Sequence, residues 1–228
     1  MWFDIPTRST RLEILDGDDF DQIDLRKNLR EIELVNKRLG GHTSSCNLLK
    51  PLLAKLGNQR LRIVDLGCGS GDTIRSFRKR WPQHQYIGVD LNSTAIDMAQ
   101  NADTSHADAY LVENIFDMAI TADIAHMAMV NHHFSFDQNV EIVKKLVSSK
   151  IKFILVNDLH RSYLALAGIS LLTHVLPTSI MVKHDAPLSV RRAYSKLEWM
   201  QILDRAGVKK FTINWGWAFR YLIVIDNR

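Results

Sequence analysis

Hydrophobic and polar positions along most of the chain form alternating blocks that predict strands and helices in turn. Short apolar runs are followed by segments in which apolar side chains recur every three or four positions. The strands predicted in this way are 62–66, 85–90, 109–113, 123–130 and 151–156, and the helices between them are 72–80, 93–101 and 136–148. Strands that alternate with helices indicate right-handed crossover connections and a parallel sheet with helices on both faces.

The pattern changes near the end of the chain. A helix predicted over 196–206 ends at Gly207 and is followed by two strands, 210–217 and 220–225. Their connection is too short for a crossover, so the two strands must pair antiparallel. The sequence therefore predicts an α/β fold: a doubly wound, seven-stranded, mostly parallel sheet, Rossmann-like, with one antiparallel terminal hairpin.

The first 58 residues predict a helical cap over a main domain at 59–228. Leu25, Leu29, Ile32 and Leu39 recur at helical spacing, as expected for a helix with one apolar face. The elements of the cap are an acidic, turn-like stretch over 16–24 that supplies N-caps, a helix that ends at Gly40–Gly41, and a short apolar helix over 46–56.

The stretch from Tyr163 to Val182 contains no charged side chain. Its length approaches that of a membrane span, roughly 20 residues. It also contains Gly168, His174 and Pro177, which suit a buried helix that ends in a turn better than they suit a span. We therefore predict a lid insertion over 159–195, with a weak membrane contact or an interface between copies as the alternatives.

The composition is that of an ordinary globular protein. Apolar residues make up 46% of the chain and charged residues 24%, which excludes disordered and fibrous classes. The net charge of +4 comes without any run of like charges, and the basic stretch 75–80 is interpreted as the solvated face of a helix. Cys46 and Cys68 are too few for a disulfide framework and lack metal-site spacing, and the N-terminus carries no apolar leader. We expect reduced thiols, no metal and a cytoplasmic protein.

A glycine-rich loop follows the first predicted strand. Gly67, Gly69 and Gly71 allow the chain to turn sharply and let a ligand approach the backbone. The third glycine comes one position earlier than in a dinucleotide-binding loop, and Asp72 stands in the later position. An acid at the start of a helix repels a diphosphate, and no phosphate-binding lysine follows the loop.

An acidic residue ends the second predicted strand, in Gly88-Val89-Asp90, where it can accept hydrogen bonds from both hydroxyls of a ribose. Residues 64–73 and 88–92 together resemble motifs I and II of class I S-adenosylmethionine-dependent methyltransferases. The resemblance implies that S-adenosyl-L-methionine is the cofactor, that Asp65 and the three glycines surround its methionine part, and that Asp90 holds its ribose. It also implies that Leu91 lies at the cofactor.

The next position that the resemblance implies lies after the third strand, where an acidic or amide side chain meets the adenine. Glu113 and Asn114 are the alternatives, with Ile115 beside them. Asn114 aligns better, and although the usual aspartate of the family is absent, an amide oxygen can accept the same hydrogen bond.

Polar clusters follow the fourth and fifth strands, at the edge where ligands bind in open α/β sheets. Methyl transfer is an in-line displacement, in which alignment can supply ~7–11 kcal/mol of the barrier. A hydroxyl acceptor must also lose a proton, and histidine suits that task because its pKa lies near neutral pH. We predict His132 and His133, after the fourth strand, as candidate bases, and favour His133.

The predicted lid supplies candidate contacts to the acceptor. The candidate substrate-binding residues, all in or beside the lid, are Asp158, His160, Arg161, Arg191, Arg192 and Tyr194. Arginine can hold a carboxylate or phenolate. The alternative is that Arg191 and Arg192 pair with acids such as Asp158 and Asp185 and only dock the lid.

The chain most resembles bacterial small-molecule methyltransferases of polyketide or quinone pathways. The resemblance implies O-methylation of a small hydroxylated aromatic, quinone precursor or polyketide by a monomer or homodimer. An RNA or protein methyltransferase is a second interpretation, which the isoelectric point near 9.1 keeps open. Against it, the chain has no adjacent prolines and no appended nucleic-acid-binding module. A catalytically silent scaffold is a third interpretation, and the intact glycine loop argues against it.

Overall fold

The computed structural model describes residues 3–17, 22–57, 59–103 and 109–228, and within them it contains one seven-stranded sheet. The strands are β1 Arg62–Leu66, β2 Gln85–Asp90, β3 Ala109–Val112, β4 Ile124–Ala128, β5 Phe153–Leu159, β6 Phe211–Gly216 and β7 Arg220–Asp226. Their order is β3-β2-β1-β4-β5-β7-β6, with β1 to β5 parallel and β7 antiparallel to both neighbours. The predicted doubly wound sheet with one antiparallel hairpin is confirmed.

Helices cover both faces of the sheet and border its carboxyl edge. They are α1 Gln22–Arg38, α2 Gly41–Leu56, α3 Asp72–Arg80, α4 Ser93–Ala102, α5 Phe136–Ser148, α6 Tyr163–Val175, α7 Ile180–Arg192 and α8 Lys196–Arg205. Their starts follow from the sequence, since Ser135 and Ser195 each form a capping box at the start of α5 and α8. Part of the predicted acidic capping stretch, residues 18–21, lies outside the described residues, as does residue 58, the predicted end of the cap.

The core has two layers because successive residues of a strand point to opposite faces of the sheet. In β1, Val64 packs with the layer that α5 and α8 cover, whereas Ile63 packs with the layer that α2 and α3 cover. Trp199 of α8 and Phe77 of α3 are fully buried anchors of these two layers. The sheet is therefore rigid on both sides, and its carboxyl edge can hold a site in fixed geometry.

Several local predictions need correction. The helix predicted to begin at residue 46 begins at Gly41, and β5 continues through Leu159, so Asp158 is a strand residue and not part of a loop. The uncharged stretch after Tyr163 is not a buried helix: it forms α6 and the start of α7, and within α6 only Ala165 and Thr173 are buried. Among the described residues, no helix is long and apolar enough to cross a membrane.

Candidate active site

A cavity of about 1100 Å³ lies at the carboxyl edge of the sheet. Its lining includes the glycine loop after β1, Asp90 and Leu91 at the end of β2, and Met129 and Val130 after β4. Single-ligand pockets are typically about 300–1,000 Å³. The volume of this cavity lies just above the upper end of that range.

The glycine loop needs glycine for steric reasons. Gly67 has φ +73°, and a Cβ there would lie 2.5 Å from Val130 Cγ2, while a Cβ at Gly71, with φ +75°, would lie 2.8 Å from Tyr110 Cε1. The backbone N–H groups of Gly67 and Cys68 both donate to Val89 O, which folds the loop back over β2. The loop thus leaves open space next to its backbone on the cavity side, where a Cβ added at Gly69 would have no atom within 4 Å.

Asp90 links the loop to the end of β2. Its Oδ2 accepts from Gly69 N at 2.8 Å and its Oδ1 from Asn92 N at 2.9 Å. Burial raises the pKa of Asp90, and these two N–H donors oppose that rise. Each carboxylate oxygen has a further lone pair, so the group can still accept from a pair of hydroxyls, such as those of a ribose. The residues present therefore fit the predicted cofactor.

A buried network holds Asp65, the other predicted acidic residue at the cofactor. His126 Nδ1 lies 2.7 Å from Asp65 Oδ1, and His126 Nε2 lies 2.9 Å from Ser45 Oγ. The sequence of groups is that of a Ser-His-Asp hydrolase site. Ser45 is buried, however, and Asn157 Nδ2 donates to its hydroxyl at 2.8 Å, so the serine has no access to a substrate. The network instead fixes the Asp65 carboxylate at the cavity wall.

The predicted adenine residues lie beside the cavity without lining it. Glu113 is exposed, Ile115 is buried in the core, and Asn114 Oδ1 accepts from Phe116 N at 3.0 Å. Of the predicted residues on this side, Leu91 lines the cavity. The adenine contacts of Glu113, Asn114 and Ile115 stay predictions, and the nearby residues 104–108 lie outside the described ranges.

The two candidate bases stand side by side at the cavity wall. His132 Nδ1 lies 2.7 Å from Asp158 Oδ1, and His133 Nδ1 lies 2.6 Å from Asp16 Oδ1. Each imidazole is therefore held at Nδ1 by a carboxylate, and each directs Nε2 towards Glu13, at 3.9 Å for His132 and 4.0 Å for His133. The His133 side chain is 21% exposed and that of His132 only 2%.

The carboxyl groups of this cluster differ in how easily they are protonated. Burial raises the pKa of Glu13 to about 7, although His133 and Arg192 oppose the rise. Burial also acts to raise the pKa of Asp16, but hydrogen bonds from His133 and Arg192 bring it far below its usual value. Asp158 is likewise held ionised against full burial by His132, which lowers its pKa. The two histidines thus have firmly anionic partners at Nδ1 and a readily protonated one at Nε2.

The same groups have the type and spacing that can hold a divalent metal ion. The ligand atoms of Glu13, His132 and His133 all lie within 4.8 Å of one another. Arg192 opposes such an ion, since its Nη1 lies 3.7 Å from Glu13 Oε1 and would stand next to a second cation. The expectation of no metal stays a prediction.

The pKa of Glu13 predicts a pH effect on stability. Because the folded protein holds the Glu13 proton up to about pH 7 and the unfolded chain releases it near pH 4.5, the free energy of unfolding falls as pH rises between these values. Because one pKa unit of one group corresponds to about 1.36 kcal/mol, the shift of Glu13 lowers the free energy of unfolding by roughly 3 kcal/mol over this pH range. We expect the free energy of unfolding of the wild type, minus that of Glu13→Gln, to fall by this amount between pH 4.5 and 7 when both are measured by urea denaturation. Parallel curves for the two proteins would contradict the prediction.

An N-terminal segment, residues 3–17, supplies Glu13 and Asp16 and closes the site. We call it the strap. Arg8 Nη2 donates to His132 O at 2.7 Å and Phe134 O at 2.9 Å, and Ile14 N donates to Asp185 Oδ1 at 2.8 Å. The strap was not predicted, because its polar residues follow no helical or strand period. Arg8, Glu13 and Asp16 in an otherwise unpatterned segment were the one available signal.

Five of the six predicted substrate residues bind other groups of the protein, and three of them, His160, Arg161 and Arg192, bind the strap. His160 Nε2 lies 2.8 Å from Asp4 Oδ1, and Arg161 pairs with Glu198 at 2.9 Å. Arg192 pairs with Asp16 and donates to His133 O, Tyr194 donates to Phe134 O, and Asp158 holds His132. Arg191 is exposed, and none of the six lines the cavity. Their contacts to an acceptor stay predictions.

Comparison with known proteins agrees with this geometry. Residues 42–150 match the sequence profile of a methyltransferase domain family. The chain is 35% identical over 78 residues to trans-aconitate 2-methyltransferase of Afipia carboxidovorans, covering 34% of this chain and 26% of that protein. It is 21% identical over 96 residues to carboxy-S-adenosyl-L-methionine synthase of Campylobacter hominis, covering 41% of each. The matches thus span less than half the length of these relatives.

Solved structures share the whole fold at low sequence identity. The plantazolicin methyltransferase BpumL in complex with SAH has a TM-score of 0.66 at 15% identity, covering 91% of this chain and 97% of that one. Magnesium protoporphyrin IX methyltransferase (ChlM) of Synechocystis PCC 6803, with bound SAH, has a TM-score of 0.58 at 14% identity, covering 92% and 90%. Residues 42–150 thus match a methyltransferase domain, and the chain shares its fold with methyltransferases that bind SAH. The predicted fold, class and cofactor are confirmed.

Proposed function

We propose that this chain transfers the methyl group of S-adenosyl-L-methionine to a hydroxyl of a small aromatic, quinone-precursor or polyketide acceptor. One observation carries the proposal: the glycine loop with Asp90 and the cluster of Glu13, His132 and His133 line a single cavity. A cofactor site and a proton-accepting site that share one space are what hydroxyl methylation requires.

The cofactor side follows from the acids and the loop. Asp90 would hold the ribose and Asp65 would face the charged methionine end, with the glycines giving the backbone room to approach. The bound cofactor supplies an electrophilic methyl group on sulfur. The chain's own task is to fix that group in line with the acceptor oxygen, and the rigid carboxyl edge of the sheet suits this task.

His133 is the proposed base. Its Nδ1 is held 2.6 Å from Asp16, so Nε2 is left to take the acceptor's proton. His133 would take the O–H proton at Nε2 while the acceptor oxygen displaces the thioether S-adenosylhomocysteine from the methyl carbon, so that the O–C bond would form as the S–C bond breaks. Asp16, which stays ionised, would stabilise the imidazolium that results. His133 is favoured over His132 because His133 has the more exposed ring.

The acceptor side of the cavity indicates an apolar molecule. Leu25, Leu29, Ile169, Leu172 and Val182 contribute to its wall, where α1 faces α6 and α7. An aromatic or polyketide ring would replace water on this wall, and its hydroxyl would face the histidines. The plantazolicin methyltransferase BpumL acts on plantazolicin by its name, and this chain shares its fold alone.

A matched pair of acceptors tests the proposal. A panel of phenols and quinols and the corresponding methyl ethers is incubated with the protein and methyl-labelled S-adenosylmethionine, and the products are identified by mass spectrometry. We expect label on oxygen for one or more phenols and none on the ethers. Label on carbon, or label on an RNA control but on no phenol, would contradict O-methylation of a small molecule.

A further inference from the structure

The outward side of α6 is apolar and exposed among the described residues. Leu164, Leu171 and Val175 recur at helical spacing along α6, and Ile180 follows at the start of α7; these side chains are 48–84% exposed. No charged residue occurs between Tyr163 and Val182. Water-exposed apolar patches of this kind on a globular domain mark interaction sites.

A basic helix face lies next to this apolar one. Ser179 N, in the turn between α6 and α7, donates to Glu31 Oε2 of α1 at 2.8 Å, which joins the two surfaces. Helix α1 carries five basic and three acidic side chains. Since Glu31 caps α7 and Glu33 pairs with Arg75 at 2.9 Å, the basic excess faces solvent. The exposed residues on the Glu31 side of α1 are Asp24, Lys27, Arg30, Leu34 and Arg38, so three basic side chains outweigh one acidic side chain there.

We call these two faces together the α1–α6 surface: Lys27, Arg30, Leu34, Arg38, Leu164, Leu171, Val175 and Ile180. The inner faces of the same two helices line the cavity, through residues such as Leu29 and Ile169. The cavity also reaches solvent at Trp215 and Trp217, which line it and are 53% and 72% exposed. Trp217 adjoins the end of α1, because a Cβ at Gly40 would lie 3.4 Å from its ring.

We propose that the α1–α6 surface docks on an anionic lipid bilayer, with the apolar side chains in the interface and the basic ones on headgroup phosphates. Apolar residues, tryptophan and flanking lysine and arginine are the combination that interfacial proteins use. A second copy of the chain fits less well, since a symmetric contact over this whole surface would bury the basic side chains of both copies. When the protein is docked in this way, an apolar acceptor can pass from the bilayer into the cavity between α1 and α6.

Vesicle binding tests this without any methyl transfer, so the result is independent of the proposed function. We expect the wild type to sediment with vesicles of phosphatidylcholine and phosphatidylglycerol, less so at raised salt, and not with phosphatidylcholine alone. The double variants Val175→Asp/Ile180→Asp and Arg30→Glu/Arg38→Glu should each lower partitioning by about tenfold or more.

Matched variants on other surfaces serve as controls. Leu197→Asp adds a charge at an exposed leucine of α8, and Lys50→Glu/Lys55→Glu reverses two exposed charges of α2; both should partition like the wild type. Equal partitioning of all variants, or none by the wild type, would overturn the proposal. A lipid-free dimer that Val175→Asp/Ile180→Asp converts to a monomer would show that a second copy covers the surface, and would also overturn it.

Discussion

Asp90→Ala is expected to weaken binding of S-adenosylhomocysteine by about a hundredfold. The variant loses the hydrogen bonds that ribose hydroxyls would donate to the carboxylate, each worth roughly 1.5–3 kcal/mol, and 1.4 kcal/mol is about a factor of ten. It also loses the bond from Gly69 N at 2.8 Å, which holds the glycine loop. The measurement is the ligand-induced rise in melting temperature, which scales with the logarithm of ligand concentration over Kd.

Two further variants separate the contact from the fold. Asp90→Asn keeps the shape and one acceptor oxygen, so it should lie between alanine and wild type. Asp97→Ala changes an exposed acid of α4 that does not line the cavity, and should bind like the wild type. An Asp90→Ala protein that is folded and binds S-adenosylhomocysteine unchanged would show that this carboxylate does not hold the cofactor.

His133→Ala is expected to lower the turnover number by about 10²–10⁴-fold, the usual contribution of a positioned base. Cofactor affinity should stay nearly unchanged, because the contacts of Asp90 with the glycine loop remain in place. The deficit should shrink as pH approaches about 10, where a phenol ionises without help. Steady-state rates measured against pH on a phenol acceptor give both quantities.

The pH dependence distinguishes a base from a purely structural histidine. A structural loss would lower the rate by the same factor at every pH, and no recovery would be seen with a strongly acidic phenol. His174→Ala, at an exposed histidine of α6, is the matched control and should turn over like the wild type. A His133→Ala variant with the wild-type turnover number at neutral pH would remove His133 from the mechanism.

The cofactor side of the site could be predicted because its constraints are local in sequence. Gly67 and Gly71 need positive φ within one loop, and Asp90 ends the next strand, so a short stretch of chain specifies the whole arrangement. The sheet order was predictable for a similar reason, since alternating strands and helices leave few topologies. Both predictions depend on spacing and not on side-chain contacts.

The acceptor side could not be predicted because its contacts are distant in sequence. Glu13 meets His132 across more than a hundred residues, in a strap whose segment has no hydrophobic period. Helix α7 was missed because Pro187 lies inside it, although Ser179 caps it in the ordinary way. The prediction that α6 is buried was wrong. An uncharged run has the same sequence pattern when it packs in a core as when it lies between a cavity and solvent.

The most direct test of the account is calorimetric titration of the wild-type protein with S-adenosylhomocysteine. The account predicts saturable binding of one molecule per chain, with a negative heat-capacity change because apolar cavity surface is buried. A folded protein that gives no heat at any of several temperatures, and no shift in melting temperature, would contradict the claim that this cavity holds the methyl donor.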